Sequence, residues 1–178
     1  MTCETCSKWP SQIGSLRAAY AFDGPIRDSI HRFKYQGEFA RASHLAAMMY
    51  QGIFRPEFVE APRWDVVTYV PLHPRRRRQR GFDQAELLSR YLSQHLELSR
   101  LEGVTRRIDT PSQVGRNEDE RRANMRDAFS WMGPRLSGEH VLLIDDVLTT
   151  GATMVAVAGV LIGAGAGRVD GFALAREM

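Results

Sequence analysis

The sequence has few cysteines, few lysines and no long apolar segment. It has two cysteines in 178 residues, and subtracting the two lysines from the 24 basic residues leaves 22 arginines. Two cysteines cannot form a disulfide framework, and a chain of this length buries enough surface to fold without one. Its longest apolar stretch, residues 154–166, is too short to cross a bilayer, and residues 1–8 lack the apolar core of a signal peptide. We therefore expect a soluble, cytoplasmic protein with no membrane partner.

Charge of one sign is not in excess either. The net charge is +3, from 24 basic and 21 acidic residues, which does not demand a polyanionic partner. Arginine side chains carry planar groups of hydrogen-bond donors that suit phosphate oxygens. A GC-rich genome would also explain why arginine outnumbers lysine. The content of 43% hydrophobic and 25% charged residues is typical of a globular protein and excludes a disordered or low-complexity chain.

The apolar pattern predicts alternating helices and strands. Helical spacing predicts helices over residues 25–35, 39–54, 83–96, 120–129 and 152–162. Short β-branched or continuous apolar runs predict strands over residues 66–70, 104–108, 140–144 and 168–174. Residues 1–24 are predicted to be irregular, the basic segment 73–80 and the polar segment 109–119 to be loops, and residues 25–178 to form one domain. The alternation favours an α/β fold with a parallel central sheet flanked by helices.

The most informative segment follows the predicted strand over residues 140–144. Asp145 and Asp146 come next, and then a turn that opens a helix. Ligands of open α/β sheets bind at the carboxyl ends of the strands, and helix N-termini attract phosphate. We expect the acids to bind ribose hydroxyls, or a metal through water; an acid pair that only capped the helix would be costly at a buried strand end. The turn predicted to hold a phosphate consists of Thr149, Thr150, Gly151, Ala152 and Thr153.

Residues 141–153 resemble the phosphoribosyl pyrophosphate motif of the type I phosphoribosyltransferases. The resemblance covers both residue type and spacing: a hydrophobic run, two acids, then Thr-Thr-Gly. It implies a five-stranded parallel core with a small N-terminal hood, and phosphoribosyl pyrophosphate with Mg²⁺ as the ligand. It also implies that Asp145 and Asp146, as the catalytic acids, contact the ribose 2′- and 3′-hydroxyls, while residues 149–153 surround the 5′-phosphate.

Further segments narrow the resemblance, and they occur in one order along the chain: residues 33–37, 70–74, 80–88, 110–129 and 145–151. Together they are similar to the ComF family, also called the GntX type, which is the competence-associated branch of these proteins. The family implies single-stranded DNA and a cytoplasmic DNA helicase as partners. Asp83 stands where the family commonly has asparagine, and both residues can cap a helix.

The resemblance also suggests contacts to the rest of the ligand. Leu72 and His73 fall in the pyrophosphate-binding region, and Arg80 is the first candidate among the arginines, because negative charge builds on the departing pyrophosphate. The arginines at 75–78 form either a solvated basic loop or a DNA-backbone contact through counterion release. The family pattern places Lys34 and Tyr35 near the ligand; the alternative is a helix-terminal lysine beside a packed tyrosine.

The polar stretch 109–124 looks like the mobile loop that closes over the active site in these transferases. Closure would exclude water from the reacting centre. The alternative is an ordinary surface loop with a helix cap. The candidate ligand contacts in this stretch are Gln113, Arg116 and Arg121.

Cys3 and Cys6 form one Cys-x-x-Cys pair, whereas the family often carries two pairs that resemble a zinc site. One pair cannot supply the four ligands of a closed structural zinc site. We therefore expect a start that lies upstream or a vestigial remnant over residues 1–24, rather than structural zinc in this chain; a metal shared by two chains is the remaining option. A disulfide is not expected in a reducing cytoplasm.

Two functions are compatible with these features. The first is an enzyme that binds phosphoribosyl pyrophosphate with Mg²⁺ and transfers the phosphoribosyl group, with inversion, to an acceptor that the sequence does not identify. The sequence has no Ser/His/Asp arrangement, and this reaction depends on positioning and electrostatics rather than on a covalent nucleophile. The second is a non-catalytic competence accessory protein that binds single-stranded DNA and a helicase. The intact acid pair favours the enzyme.

Overall fold

The structure is a computed structural model that describes residues 9–55, 63–108 and 128–177. The strands are β1 (Ile13–Ala21), β2 (Val66–Tyr69), β3 (Ser99–Arg100), β4 (Val104–Arg106), β5 (Phe129–Trp131), β6 (His140–Leu148) and β7 (Arg168–Arg176). The helices are α1 (Gly24–Tyr35), α2 (Arg41–Ile53), α3 (Pro74–Arg80), α4 (Gln84–Leu96) and α5 (Ala152–Gly163). Within these ranges, no helix is both long enough and apolar enough to span a bilayer.

Five strands form one sheet in the order β1-β7-β6-β2-β3, and every neighbouring pair is parallel. The central strands β6 and β7 are buried along most of their length, which explains their continuous apolar runs. β4 and β5 form a separate antiparallel ribbon. The prediction of an α/β fold with a parallel central sheet, five-stranded as the family resemblance implied, is confirmed.

The sheet separates two hydrophobic cores. Successive residues of a strand point to opposite faces, so Leu142 and Leu143 of β6 belong to different cores. Leu143 packs in the core that contains Val157 and Leu161 of α5. Leu142 packs in the core that contains Phe33 of α1 and residues of α2 and α4. Helices therefore cover both faces of the sheet. The C-terminal end of α1 and the N-terminal end of α5 meet β6 at the carboxyl ends of the strands, which we call the carboxyl edge of the sheet.

The expectation that residues 1–24 are irregular is wrong for Ile13–Ala21. This segment is strand β1, which pairs with β7 at one edge of the sheet. Only Ile13 and Ala19 of this strand are buried. An edge strand has a single neighbour, so its sequence lacks the continuous apolar run that marks β6.

Two other local expectations are wrong. The basic segment is a helix, α3, over Pro74–Arg80, and not a loop. Proline at its first turn is already in a helical conformation, and arginine is a good helix former, so the run of like charges did not prevent a helix. The helix predicted over 120–129 does not include Phe129, which begins β5; residues 109–127 lie outside the described part of the chain.

Candidate functional site

The acid pair lies near the carboxyl end of β6, and β6 continues through it to Leu148. Lys34, at the end of α1, donates from its Nζ to Asp146 Oδ1 at 2.9 Å, and the two side chains are 20% and 14% exposed. The backbone N–H of Asp146 donates to Asp145 Oδ1 at 2.8 Å. Two carboxyl groups thus share the site with one ammonium group.

Burial raises the pKa of Asp145 well above its ordinary value, and the nearby Asp146 carboxylate raises it further. The hydrogen bond from the Asp146 N–H and the charge of Lys34 act in the opposite direction. A ligand that brings hydroxyl donors, or a cation, stabilises the ionised pair. The acid pair is therefore suited to a sugar diol or to a hydrated divalent ion.

The turn after β6 leads into the N-terminus of α5. Gly151 caps α5 with φ at 81°, a conformation that favours glycine, and a Cβ there would lie 3.0 Å from Leu16 Cδ1. Thr149 and Thr150 are exposed, and Thr153 in the first turn of α5 is half-buried. Backbone N–H groups of a first helical turn and flanking hydroxyls are good donors to phosphate.

The segment after β2 is held by Asp83. Asp83 Oδ2 accepts from the N–H of Leu72 at 2.6 Å, and its Oδ1 caps α4 by accepting from the N–H of Glu86 at 3.3 Å. Burial raises the pKa of Asp83 to about 6, although both backbone donors act to lower it. His73 caps α3, with its Nδ1 accepting from the N–H of Arg75 at 3.2 Å. Asp83 therefore caps a helix as predicted, and it also ties that helix to the segment that contains Leu72.

Arg80, at the end of α3, contacts residues of α1 and α4. Its guanidinium carbon lies 5.1 Å from the centre of the Tyr35 ring, and it donates a hydrogen bond to Gln84 Oε1. Tyr35 is 64% exposed, so the alternative of a packed tyrosine is wrong. Because Lys34 and Tyr35 are adjacent, α1 contacts both the acid pair and Arg80.

The structure brings together most of the residues that the sequence singled out. The acids, the turn over 149–153, Lys34, Tyr35 and Arg80 belong to elements that meet at the carboxyl edge of the sheet. Gln84 was not predicted as a functional residue, although it follows the cap residue Asp83 within the matched segment 80–88. The sequence-predicted site residues that lie outside the described part of the chain are Cys3, Cys6, Gln113, Arg116 and Arg121.

Metal binding by protein groups alone is not a feature of the described residues. Across residues 9–55, 63–108 and 128–177, no group of three or more His, Cys, Asp or Glu side chains could hold a metal ion. Mg²⁺, however, takes most of its ligands from water and substrate phosphates and needs only one or two carboxylates. Asp145 and Asp146 fit that requirement.

Comparisons with known proteins match parts of the chain that contain this site. Residues 79–177 match the phosphoribosyl transferase domain, a range that includes the acid pair and the turn over 149–153. The chain is 30% identical to "Competence protein F" of Haemophilus influenzae, over 98% of this chain and 78% of that protein. It is also 30% identical to "DNA utilization protein YhgH" of Escherichia coli K12, over 100% of this chain and 79% of that protein.

A solved structure also resembles the chain. It is the glutamine phosphoribosylpyrophosphate amidotransferase from B. subtilis complexed with ADP and GMP, with a TM-score of 0.47 and 19% identity. The similarity covers 73% of this chain and only 25% of that one. From the domain match and the full-length relatives, the chain belongs to the phosphoribosyltransferase domain family and, within it, to the ComF type.

Proposed function

We propose that the protein binds phosphoribosyl pyrophosphate with Mg²⁺ and transfers the phosphoribosyl group to an acceptor nucleophile. The observation that carries the proposal is the juxtaposition of two functional groups at one edge of the sheet. The half-buried acid pair at Asp145 and Asp146 is followed, within a few residues, by the glycine-capped start of α5. A sugar that carries hydroxyls on one side and a 5′-phosphate on the other suits both groups at once.

Each part of the ligand has a candidate partner. Asp145 and Asp146 accept hydrogen bonds from the ribose 2′- and 3′-hydroxyls, and residues 149–153 bind the 5′-phosphate. Arg80, with the nearby Leu72 and His73 segment, faces the pyrophosphate. Asp145 and Asp146 would hold Mg²⁺, and the ion would neutralise part of the pyrophosphate charge.

The transfer breaks the bond between C1′ and the pyrophosphate oxygen, and pyrophosphate departs with the electron pair. A bond forms between C1′ and the acceptor on the opposite face of the sugar, with inversion, and the acceptor loses its proton. Negative charge develops on the leaving group, so a fixed guanidinium such as that of Arg80 stabilises the transition state more than the ground state.

Calorimetric titration with phosphoribosyl pyrophosphate, with and without Mg²⁺, tests the proposal. We expect Mg²⁺-dependent binding by the wild type. We expect a loss of at least about tenfold in affinity for Asp145→Asn/Asp146→Asn, because uncharged amide oxygens accept weaker hydrogen bonds from the ribose hydroxyls than carboxylates do. A circular dichroism spectrum like that of the wild type checks that the variant folds. The matched control is Asp28→Asn, since the Asp28 side chain is 68% exposed on α1. Equal affinity of the double variant and the wild type would refute the site assignment.

A second candidate function is binding of single-stranded DNA, with a helicase as partner. Arg75, Arg77 and Arg78 are exposed on α3, and the relatives are named as competence and DNA utilization proteins. DNA binding through these arginines would weaken steeply as the salt concentration rises. Salt-sensitive binding of a short single strand, without any binding of phosphoribosyl pyrophosphate, would favour this candidate over the enzyme.

A further inference from the structure

The guanidinium of Arg80 is held from two sides by groups from different elements. The Tyr35 ring, at the end of α1, lies against it, and Gln84 Oε1, in the first turn of α4, accepts its hydrogen bond. Tyr35 is mostly exposed, whereas Gln84 is only 1% exposed. We call Arg80, Tyr35 and Gln84 the arginine clamp.

The amide of Gln84 has only one orientation that suits this contact. Its Oε1 faces the donors of Arg80, and reversing the amide would set two donors against each other. Its Nε2 is buried and has no hydrogen-bond partner among the described residues. A buried donor without a partner destabilises a fold, so an apolar side chain of similar volume would be at least as stable at this position. Stability therefore does not account for a glutamine here, whereas its contact with Arg80 does.

The backbone around the clamp is also fixed. Phe82 packs against Phe33 with ring centres 5.3 Å apart, and Asp83 ties the start of α4 to Leu72. The two residues that follow Gly81 are thus anchored, Phe82 by packing against the hydrophobic core and Asp83 by its hydrogen bonds. A cationic side chain that is already held in place loses little freedom when it binds an anion.

We propose that Gln84 is a positioning residue, which acts with the ring of Tyr35 to hold the Arg80 guanidinium for the pyrophosphate group of the ligand. The inference rests on the proposed function. It adds the reason why the site prefers ligands that carry pyrophosphate to ribose 5-phosphate. Ligands that carry pyrophosphate gain affinity from the arginine clamp. Ribose 5-phosphate, which has no pyrophosphate, does not.

Calorimetric titrations of Gln84→Met with phosphoribosyl pyrophosphate and with ribose 5-phosphate, both in Mg²⁺, test the inference. We expect the affinity for phosphoribosyl pyrophosphate to fall by about tenfold and that for ribose 5-phosphate to change by less than about twofold. Gln94→Met, on the exposed surface of the same helix, is the matched control and leaves both affinities unchanged. A Gln84→Met variant that loses both ligands equally would overturn the inference.

A double-mutant cycle with Arg80→Ala tests whether Gln84 positions Arg80 or has only a general structural role. If Gln84 acts through Arg80, then Gln84→Met has no further effect on phosphoribosyl pyrophosphate affinity once Arg80→Ala is present. Additive losses would overturn the inference. Tyr35→Leu keeps the test decisive if Gln84→Met fails to fold, because Tyr35 is 64% exposed. We expect Tyr35→Leu to lower the selectivity for phosphoribosyl pyrophosphate over ribose 5-phosphate. Tyr35→Phe retains the ring and should keep the wild-type selectivity.

The inference and the proposed function fail in different ways. A wild type that binds no phosphoribosyl pyrophosphate refutes the proposed function, and the inference with it. A wild type that binds this ligand, together with Gln84 and Tyr35 variants that keep its selectivity over ribose 5-phosphate, refutes the inference alone.

Discussion

Asp83 is a buried carboxyl group whose two oxygens already accept hydrogen bonds from the N–H groups of Leu72 and Glu86. Its pKa is about 6 in the folded protein and 3.8 in the absence of burial, so the folded state binds this proton more tightly than the unfolded state. The resulting contribution to stability is fully present below about pH 4 and is lost as the pH rises through about 6. Its full size is at most about 3 kcal/mol.

Asp83→Asn removes this titration, at the cost of one of the two acceptor oxygens. We expect the free energy of unfolding of the wild type, relative to that of the variant, to fall by about 1 kcal/mol between about pH 5 and pH 7.5. Urea unfolding at both pH values measures the difference, and Asp28→Asn on the exposed face of α1 is the control. Parallel pH profiles of wild type and Asp83→Asn would show that this carboxyl is not the titrating group.

Single residues also mark the limit of what the sequence could predict. The acids Asp145 and Asp146 were predicted as a site because their chemistry and their neighbours along the chain are both visible in the sequence. The role of Gln84 was not, because its contact with Arg80 depends on where α3 ends and on the burial of its own side chain. The pairing of Lys34 with Asp146 joins residues far apart in sequence, and only the resemblance to a family suggested that Lys34 lies near the ligand.

At the scale of elements, α5 begins with a glycine that has a specific geometric task. Gly151 has a φ of 81°, and a Cβ at this position would lie 3.0 Å from Leu16 Cδ1. Gly159, in the middle of the same helix, is exposed, and a Cβ there would meet nothing within 4 Å. The two glycines allow the same substitution to be tested in opposite settings.

We expect Gly151→Ala to destabilise the protein by about 1–2 kcal/mol, because alanine disfavours the left-handed conformation and must displace Leu16. Gly159→Ala is expected to stabilise it by up to about 1 kcal/mol, since alanine is the better helix former and has room. Chemical denaturation of both variants measures these free energies of unfolding. A loss of stability in Gly159→Ala as large as that in Gly151→Ala would contradict the account of the turn.

The same scale shows why some elements were predicted and others were not. β6 and α5 have strong local patterns, a continuous apolar run and an apolar helix, so the sequence predicted both. β1 has one neighbour in the sheet and mostly half-exposed residues, so its pattern is weak. α3 is a helix of seven residues, five of them arginine, with no buried residue, so it has no apolar periodicity to detect.

At the scale of the whole molecule, the two ends of the parallel sheet have different roles. The acid pair and the turn over 149–153 lie at the carboxyl ends of the strands. The opposite edge holds Asp170, a carboxyl group that is 1% exposed near the start of β7. Asp170 contacts His140 Nε2 at 2.7 Å and accepts hydrogen bonds from Ser15 Oγ at 3.0 Å and Trp64 Nε1 at 3.1 Å. This cluster joins β1, β6, β7 and the segment before β2, so we expect it to stabilise the fold.

Asp170→Asn tests this separation of roles. The amide retains one acceptor oxygen but turns a donor group toward the side chains that the carboxylate accepts from, so we expect a loss of about 2–4 kcal/mol in the free energy of unfolding. The affinity of the folded variant for phosphoribosyl pyrophosphate is expected to match that of the wild type, because the site is at the other edge of the sheet. In a thermal scan at one ligand concentration that saturates the wild type, the midpoints of the wild type and of Asp170→Asn should rise equally, whereas the midpoint of Asp145→Asn/Asp146→Asn should rise less. A ligand-induced shift that disappears in Asp170→Asn would mean that the two edges are coupled through the central strands.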